Sequence, residues 1–476
     1  MNRSLSSDWR LVRPSLSVAV IVLLLCGLAA RADARSVVLI SVDGMRPDYV
    51  TRAEQLGLKV PNLRRMMREG AYAEGVTGVV PTVTYPSHTT LITGVWPSKH
   101  GIWANTTFDP EQKNFQGWYW YSEDIKVPTL WDAANAAGLI TASVNWPVSV
   151  GAPVRYLIPE VWRAGTADDS KLLRALSTPG LLANLEAELG PYANGANADL
   201  PNDRLRAKFA IAIIQKYKPN LITVHLAALD HEEHLHGPFS PEANAVLEAS
   251  DEMVGQLRDA AFSADPGAII CVVSDHGFAP VHRRLNLAAA FVSAGLIQPA
   301  TAKTQFGTAT VERWEAMPWT SGGSAAIVLK DAHDPALVKK TRELLQQLAA
   351  DPENGINRIV EQDELLKLGG NPTASFLVDL KPGFQMDFSF SGPVHRDSAP
   401  GGTHGYLPEH IEMRASFFVA GAGIAHGRNL GVIDMRQIAP TLAKALGLSL
   451  PSAEGKLLAV RQVAPEPIGY PVHTPE

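Results

Sequence analysis

Asp230-His231-Glu232-Glu233-His234 sets a carboxylate and an imidazole four residues apart. On a helical turn those two side chains share a face, and together they can grip one metal ion. Asp275-His276 offers the same two groups side by side. His404 adds an imidazole in the glycine-flanked stretch Gly402-Thr403-His404-Gly405-Tyr406, and Asp43 adds a carboxylate in Val42-Asp43-Gly44. Mixed His and Asp ligands suit zinc, with manganese as a lesser alternative. Thr84 lies in Pro81-Thr82-Val83-Thr84-Tyr85-Pro86-Ser87-His88, just before the helical-looking Thr89 to Gly94. A hydroxyl there stands at a helix N-terminus, where backbone N–H groups and the dipole favour anions, a place suited to a nucleophile that attacks phosphorus. Taken singly, each residue has a commoner structural role: an Asp or Thr caps a helix, and a His is hydrogen-bonded in the core. Together they are more specific, because most of them follow strands expected to be neighbours.

Those strands are short, apolar and β-branched. Ser36 to Val42 ends at Asp43-Gly44, Leu139 to Asn145 ends at Trp146-Pro147, and Leu221 to Leu226 ends just before Asp230. Ala268 to Val273 ends at Ser274-Asp275-His276-Gly277, and Ser416 to Ala420 reads as a further strand. Between them, Leu205, Phe209 and Ile213 recur every four residues and mark an amphipathic helix. Pro241 to Phe262 reads as a helix with Pro near its start, and another is expected near Ile433 to Leu446. Alternation of this kind predicts an α/β fold, with a mostly parallel central sheet and helices on both faces. Ligands bind such sheets at the carboxyl ends of the strands, and Asp43, Asp230, Asp275 and His276 all follow strand ends. Residues from about 300 to 400 read differently: a strand at Ala325 to Leu329, a helix at Pro335 to Leu348, a strand at Ser375 to Leu380. They predict a small α+β insertion, a candidate cover for the site.

Composition bounds the partners. The 476 residues are 46% hydrophobic and 19% charged, with a formal net charge of -6. This is globular composition, and its acidity argues against a nucleic-acid-binding surface. A small phosphate substrate is not excluded, since metal ions can supply positive charge. Arg3, Arg10 and Arg13 flank an apolar run from Val18 to Ala30, which is followed by Ala32-Asp33-Ala34. Residues 1–34 are therefore expected to be a cleaved signal peptide, with an uncleaved anchor as the alternative. That makes the chain exported, periplasmic or secreted, with no stable membrane span once cleaved. Cleavage would remove Cys26 and leave Cys271 alone, without an internal disulfide. The Pro-rich residues 464–476 are expected to form a flexible tail, which leaves 35–463 as the catalytic domain.

The order of these motifs resembles the nucleotide pyrophosphatase/phosphodiesterase family of the alkaline phosphatase superfamily, from Val37 to about Pro451. Ser41-Val42-Asp43-Gly44-Met45-Arg46 is similar to the family's first metal-binding strand end, and Pro81 to Pro86 to its nucleophile motif. Asp230, His234, Gly237 and Pro238 match its D-x-x-x-H-x-x-G-P pattern, and Ser274 to Gly277, His404-Gly405-Tyr406 and Ile438 to Leu442 complete the set. The resemblance implies an alkaline-phosphatase-like fold and two zinc ions. One ion would take Asp230, His234 and His404, and the other Asp43, Thr84, Asp275 and His276. It implies Thr84 as nucleophile, through a phospho-threonine intermediate, with Asn105 and the backbone N–H of Tyr85 on the non-bridging oxygens. His225, His231, Glu232, Glu233 and His236 are expected to be supporting or structural residues. Two departures, Ser87 and Thr403 where the family usually has Asn, bear on specificity rather than on the ligand set.

The implied substrate is a small phosphate ester, a nucleotide or a lipid head group, and diesters are preferred. A phosphomonoesterase would need a further cation, for which Lys99, Arg155 and Arg163 are candidates. The same scaffold also suits a phosphonate hydrolase, and the ligand residues alone would suit a metal-bearing binding protein without catalysis. Trp118, Tyr119, Trp120 and Tyr121 either stack a base or pack on the core.

Overall fold

The computed structural model describes residues 35–111, 113, 117–162, 166–192, 197–303 and 309–461. The expected signal peptide, the expected tail and Arg163 lie outside those residues.

The central sheet is built from β1 (Val37–Val42), β2 (Ala71–Tyr72), β3 (Thr141–Val144), β4 (Tyr156–Ile158), β5 (Leu221–Leu226), β6 (Ile269–Val273), β7 (Phe417–Gly421) and β8 (Arg428–Asn429). Its order is β8-β2-β7-β6-β1-β5-β3-β4. The five strands from β6 to β4 run parallel, and β7 joins β6 antiparallel. β1 is buried along its whole length because both faces of the sheet are covered. Side chains alternate across a strand, so Val38, Ile40 and Val42 enter one core and Val37 and Leu39 the other.

The helices used below are α1 (Thr84–Thr93), α2 (Leu200–Tyr217), α3 (Ala228–His236), α4 (Pro241–Ala264) and α5 (Ile438–Ala445). α2 and α4 cover the first face, through residues such as Phe209, Ile213, Leu247 and Leu257. α1 and α5 cover the second, through Leu91, Ile92, Ile438 and Leu442. Their starts are written locally. Asp199 accepts from the Asn202 N–H ahead of α2, and Ser240 accepts from the Ala243 N–H ahead of α4, where Pro241 fills the position that needs no donor.

One helix begins later than its sequence pattern suggests. Val432–Asp434 is a strand, paired in parallel with Gly75–Thr77, and a 3₁₀ turn at Met435–Gln437 precedes α5. The β-branched Val432 and Ile433 find a strand partner there, and Asp434 caps the turn by accepting from the Arg436 N–H.

Between β6 and β7 the chain leaves the central sheet. Ala279–Asn286, Gly383–Asp387 and His395–Thr403 form a three-stranded sheet. Ala316–Ser321, Ser324–Leu329, Phe376–Leu380 and Ile356–Glu361 form a four-stranded antiparallel one, packed with the helix Pro335–Ala350 around a core of its own. Among the described residues, no helix is long and apolar enough to cross a membrane.

Candidate active site

The parallel strands deliver their chemistry at one edge. Asp43 directly follows β1, Asp275 and His276 follow β6, and α3, which begins just after β5, carries Asp230 and His234 on one face. His404 arrives from the far end of the inserted segment, immediately after the strand His395–Thr403. Two groups result, Asp230 with His234 and His404, and Asp43 with Asp275 and His276, each with its donor atoms within 4.8 Å of one another. The groups adjoin, since the rings of His276 and His404 stack with centroids 3.6 Å apart.

Three features fit these groups to metal ions. Asp43 Oδ1, Asp230 Oδ1 and Asp275 Oδ2 are buried without a hydrogen-bond partner, which is costly for a carboxylate unless a cation compensates. The imidazoles are oriented from behind: Nδ1 of His234 donates to Gly402 O, that of His404 to Thr82 O, and that of His276 to Gly277 O. Nε2 of His234 and of His404 is thereby left with its lone pair toward the group, as in metal sites generally; at His276, burial is outweighed by Asp275, Asp43 and Asp230, which raise the pKa to about 9, so a cation there would replace the Nε2 proton. The spacings agree as well. His234 Nε2 and His404 Nε2 each stand 3.5 Å from Asp230 Oδ1, and His276 Nε2 stands 3.4 Å from Asp43 Oδ1. Two ligands of a tetrahedral zinc ion are about 3.4 Å apart.

The electrostatics point the same way. Burial and the nearby charges of Asp275 and Asp230 push the Asp43 carboxyl well above its usual range. Burial also opposes charge on Asp275, but the His276 imidazole beside it outweighs burial and holds that carboxyl well below the usual range. Burial, with His276 and His234 nearby, holds the His404 imidazole in its neutral form, the form that ligates.

Thr84 opens α1. Val83, the residue before it, contributes no side-chain cap; Pro86 has no N–H and the Ser87 N–H donates to Val83 O at 3.2 Å, which leaves Thr84 and Tyr85 as the donors of the first turn. Thr84 Oγ1 lies 3.5 Å from His276 Nε2. The N–H of Tyr85 donates to Asn105 Oδ1 at 2.9 Å. The resemblance implies that both groups face the substrate; here the Tyr85 N–H is engaged with Asn105 and orients its amide. The Tyr85 ring is fully buried, with its centroid 5.3 Å from that of Trp118. Trp118, Tyr119 and Trp120 pack partly buried around Tyr85, whereas Tyr121 is exposed.

Among the residues expected to be supporting, Glu233 is buried on α3 and accepts from the Tyr49 hydroxyl at 2.7 Å, while His231 and His236 are exposed. His225 lies beneath Asp43, with Nε2 2.9 Å from Asp43 Oδ2. Two neighbours are not singled out by sequence. His88 donates from Nδ1 to Thr84 O and accepts from Ser41 Oγ; burial lowers its pKa to about 3. Its position one helical turn after Thr84 was the available signal. Glu160, beyond β4, meets His225 Nδ1 at 2.7 Å, and nothing in its sequence surroundings marks it.

Residues 37–407 match the model of the type I phosphodiesterase / nucleotide pyrophosphatase family. An uncharacterized pyrophosphatase/phosphodiesterase of Schizosaccharomyces pombe is 28% identical over 52% of this chain and 45% of its own. Human ectonucleotide pyrophosphatase/phosphodiesterase family member 1 is 25% identical over 50% of this chain and 23% of its own. The chain thus spans less than half the length of these curated relatives. Among solved structures, human ectonucleotide pyrophosphatase/phosphodiesterase 5 superposes with a TM-score of 0.61 at 19% identity, covering 87% of this chain and 96% of that one. The murine protein, as an inactive threonine-to-alanine variant in complex with AMP, gives the same TM-score of 0.61. These likenesses establish the alkaline-phosphatase-like α/β fold. With the family match covering most of its length, the chain belongs to the type I phosphodiesterase / nucleotide pyrophosphatase family of hydrolases.

Proposed function

We propose that this chain is an exported two-zinc phosphodiesterase that cleaves phosphate diesters through a phospho-threonine on Thr84. The observation that carries this reading is the Thr84 hydroxyl beside His276, next to two ligand groups in which three carboxylate oxygens are buried without a hydrogen-bond partner.

Asp230, His234 and His404 would hold one ion, and Asp43, Asp275, His276 and the Thr84 oxygen the other. When bound, such ions lower the pKa of a coordinated hydroxyl and neutralise the charge that develops on the leaving group. Thr84 Oγ1 forms a bond to phosphorus while the bond to the leaving oxygen breaks. Asn105 has its Oδ1 fixed by the Tyr85 N–H, so its Nδ2 is the donor for a non-bridging oxygen. Water then adds to phosphorus, the Oγ–P bond breaks and the threonine hydroxyl is restored.

Charge supports diesters over monoesters. A monoester dianion calls for an added cation near its oxygens. Lys99 instead pairs with Glu454, Arg155 lies over the Tyr156 ring, and Arg46 is paired with Asp48 at 2.9 Å. Nucleotides are a substrate class to try at once, given the AMP complex of the murine relative, with lipid head-group diesters beside them.

The test compares kcat/KM of the zinc-loaded protein on bis-p-nitrophenyl phosphate and p-nitrophenyl phosphate. A preference for the diester is expected. A preference for the monoester would overturn the diester reading and point to Arg163. Export is tested separately: fractionated cells should hold the chain outside the cytoplasm, lacking residues 1–34.

A further inference from the structure

A buried hydrogen-bonded chain runs beneath Asp43 and plays no part in the mechanism above. His225 Nε2 donates to Asp43 Oδ2 at 2.9 Å, and His225 Nδ1 donates to Glu160 Oε2 at 2.7 Å. Asn145 closes the arrangement: its Nδ2 donates to Glu160 Oε2 at 3.3 Å, and its carbonyl lies 3.1 Å from His225 Nδ1. The four residues come from four neighbouring strands, at β1, β5, β3 and β4. None is more than 3% exposed. Stability alone does not account for them, since a buried pair of ionisable groups returns about what its desolvation costs.

The geometry also divides the work of the Asp43 carboxylate. Oδ2 is committed to His225, while Oδ1 has no hydrogen-bond partner and lies 3.4 Å from His276 Nε2, inside the ligand group. The same chain borders the nucleophile's helix. The His88 ring packs edge-on against His225 at 4.5 Å, and His88 itself holds Thr84 O. The Asp230, His234 and His404 group has no hydrogen bond to His225 or Glu160 among the described residues.

We infer that His225 and Glu160 form a positioning pair for Asp43, fixing Oδ2 so that Oδ1 alone is presented to the ion held with Asp275 and His276. Glu160 fixes the His225 ring, and His225 Nε2 fixes the carboxylate. This rests on the two-metal reading above. It adds that one site, and not the other, depends on the pair. Outer partners of metal ligands typically control affinity about 10- to 100-fold.

The two ends of the imidazole can be mimicked separately. Gln places an amide nitrogen near the position of Nε2, and Asn near that of Nδ1. Zinc stoichiometry and affinity would be measured by chelator competition on the intact chain, with wild type, His225→Gln, His225→Asn and Glu160→Met compared at matched fold content by circular dichroism. His225→Gln keeps the donor to Asp43 but not the bond to Glu160, and should bind two ions with a smaller loss at the dependent site than His225→Asn. His225→Asn loses that donor and should weaken one site about 10- to 100-fold while the other holds. Glu160→Met, close in size but without an acceptor for Nδ1, should weaken the same site and keeps the test decisive if His225→Asn does not fold. Two undiminished sites in both His225→Asn and Glu160→Met would overturn the inference. So would equal loss at both sites in His225→Gln and His225→Asn, the pattern of a purely structural residue. A wild-type chain that takes up no zinc would sink the two-metal reading itself, and the pair's role with it.

Discussion

Asp379 Oδ1 accepts a hydrogen bond from the backbone N–H of Leu407 at 2.8 Å, tying the inserted four-stranded sheet to the loop that carries His404. The attachment is multiple. Asp379 Oδ2 accepts from His410 Nε2 at 2.8 Å, Ser324 Oγ donates to Gly405 O at 2.5 Å, and the Gly323 N–H donates to His404 O at 2.7 Å. Contact is close enough that Gly405, at φ +89°, leaves no room for a side chain: a Cβ there would stand 1.8 Å from Ser321 O. The insertion therefore braces the His404 loop. Asp379→Ala would leave the Leu407 N–H buried without a partner, at a cost of about 1–3 kcal/mol. Urea unfolding should show that loss, and chelator competition should show weaker zinc uptake at the His404 group. Unchanged stability and affinity would refute the brace.

The same contact has a pH signature. The Asp379 hydrogen bond, partly opposed by burial, raises the His410 pKa above its ordinary 6.5. A folded-state pKa above the unfolded one means the folded chain binds the proton more tightly. The resulting stability is fully present below about pH 6.5 and is lost as pH rises through the raised folded value. In Asp379→Asn that slope should flatten. NMR titration of the His410 ring in both proteins checks it, and a wild-type His410 that titrates at or below the ordinary value would contradict the assignment.

Thr84→Ala should reduce turnover on a phosphate diester by on the order of 10³-fold or more, the scale of nucleophile deletions. Zinc uptake should fall little, because Asp43, Asp275 and His276 remain. Thr84→Ser restores a hydroxyl at the head of α1 and should recover part of the rate. Stoichiometric zinc with near-wild-type turnover in Thr84→Ala would remove Thr84 from the nucleophile role.

How much of this was legible in sequence follows from what each residue's neighbours encode. Asp43, Asp275 and Asp230 could be placed because apolar runs announce strands, and parallel strands open their ends to one edge. His404 was a candidate only through its glycine-flanked motif, since its position depends on inserted sheets that no local pattern locates. Glu160 was invisible. Its importance comes from β4 lying beside β3 and β3 beside β5, a pairing fixed by tertiary packing. The Tyr85–Asn105 hydrogen bond was equally hidden, because motif reasoning assigns donors to a substrate without asking which of them already have acceptors.

Asn105 offers a contrast to Thr84. Its Nδ2 is assigned to a non-bridging oxygen on which charge grows in the transition state, so Asn105→Ala should lower kcat by about 10²–10³ with a smaller change in KM. Asn105→Asp keeps an acceptor for the Tyr85 N–H but presents negative charge to the phosphate, and should be no better. A variant that raises KM alone would make Asn105 a binding residue instead.

Metal removal should destabilise the fold as well as stop turnover. Asp43, Asp230 and Asp275 each keep a buried oxygen without a hydrogen-bond partner, and Asp43 and Asp275 both bury their charge at one edge of the central sheet. Ions that bind only the folded chain stabilise it by mass action, by about 2.7 kcal/mol per site at a hundredfold excess over Kd. Chelation should therefore lower Tm, and zinc should restore it in a concentration-dependent way. Asp43→Asn with Asp275→Asn removes the burial penalty and the mutual repulsion that together raise the Asp43 carboxyl, so in that double variant the chelated protein should lose less stability than wild type does. If chelator leaves the wild-type Tm unchanged, those carboxylates are compensated by something other than an ion, and the ligand groups lose their assigned role.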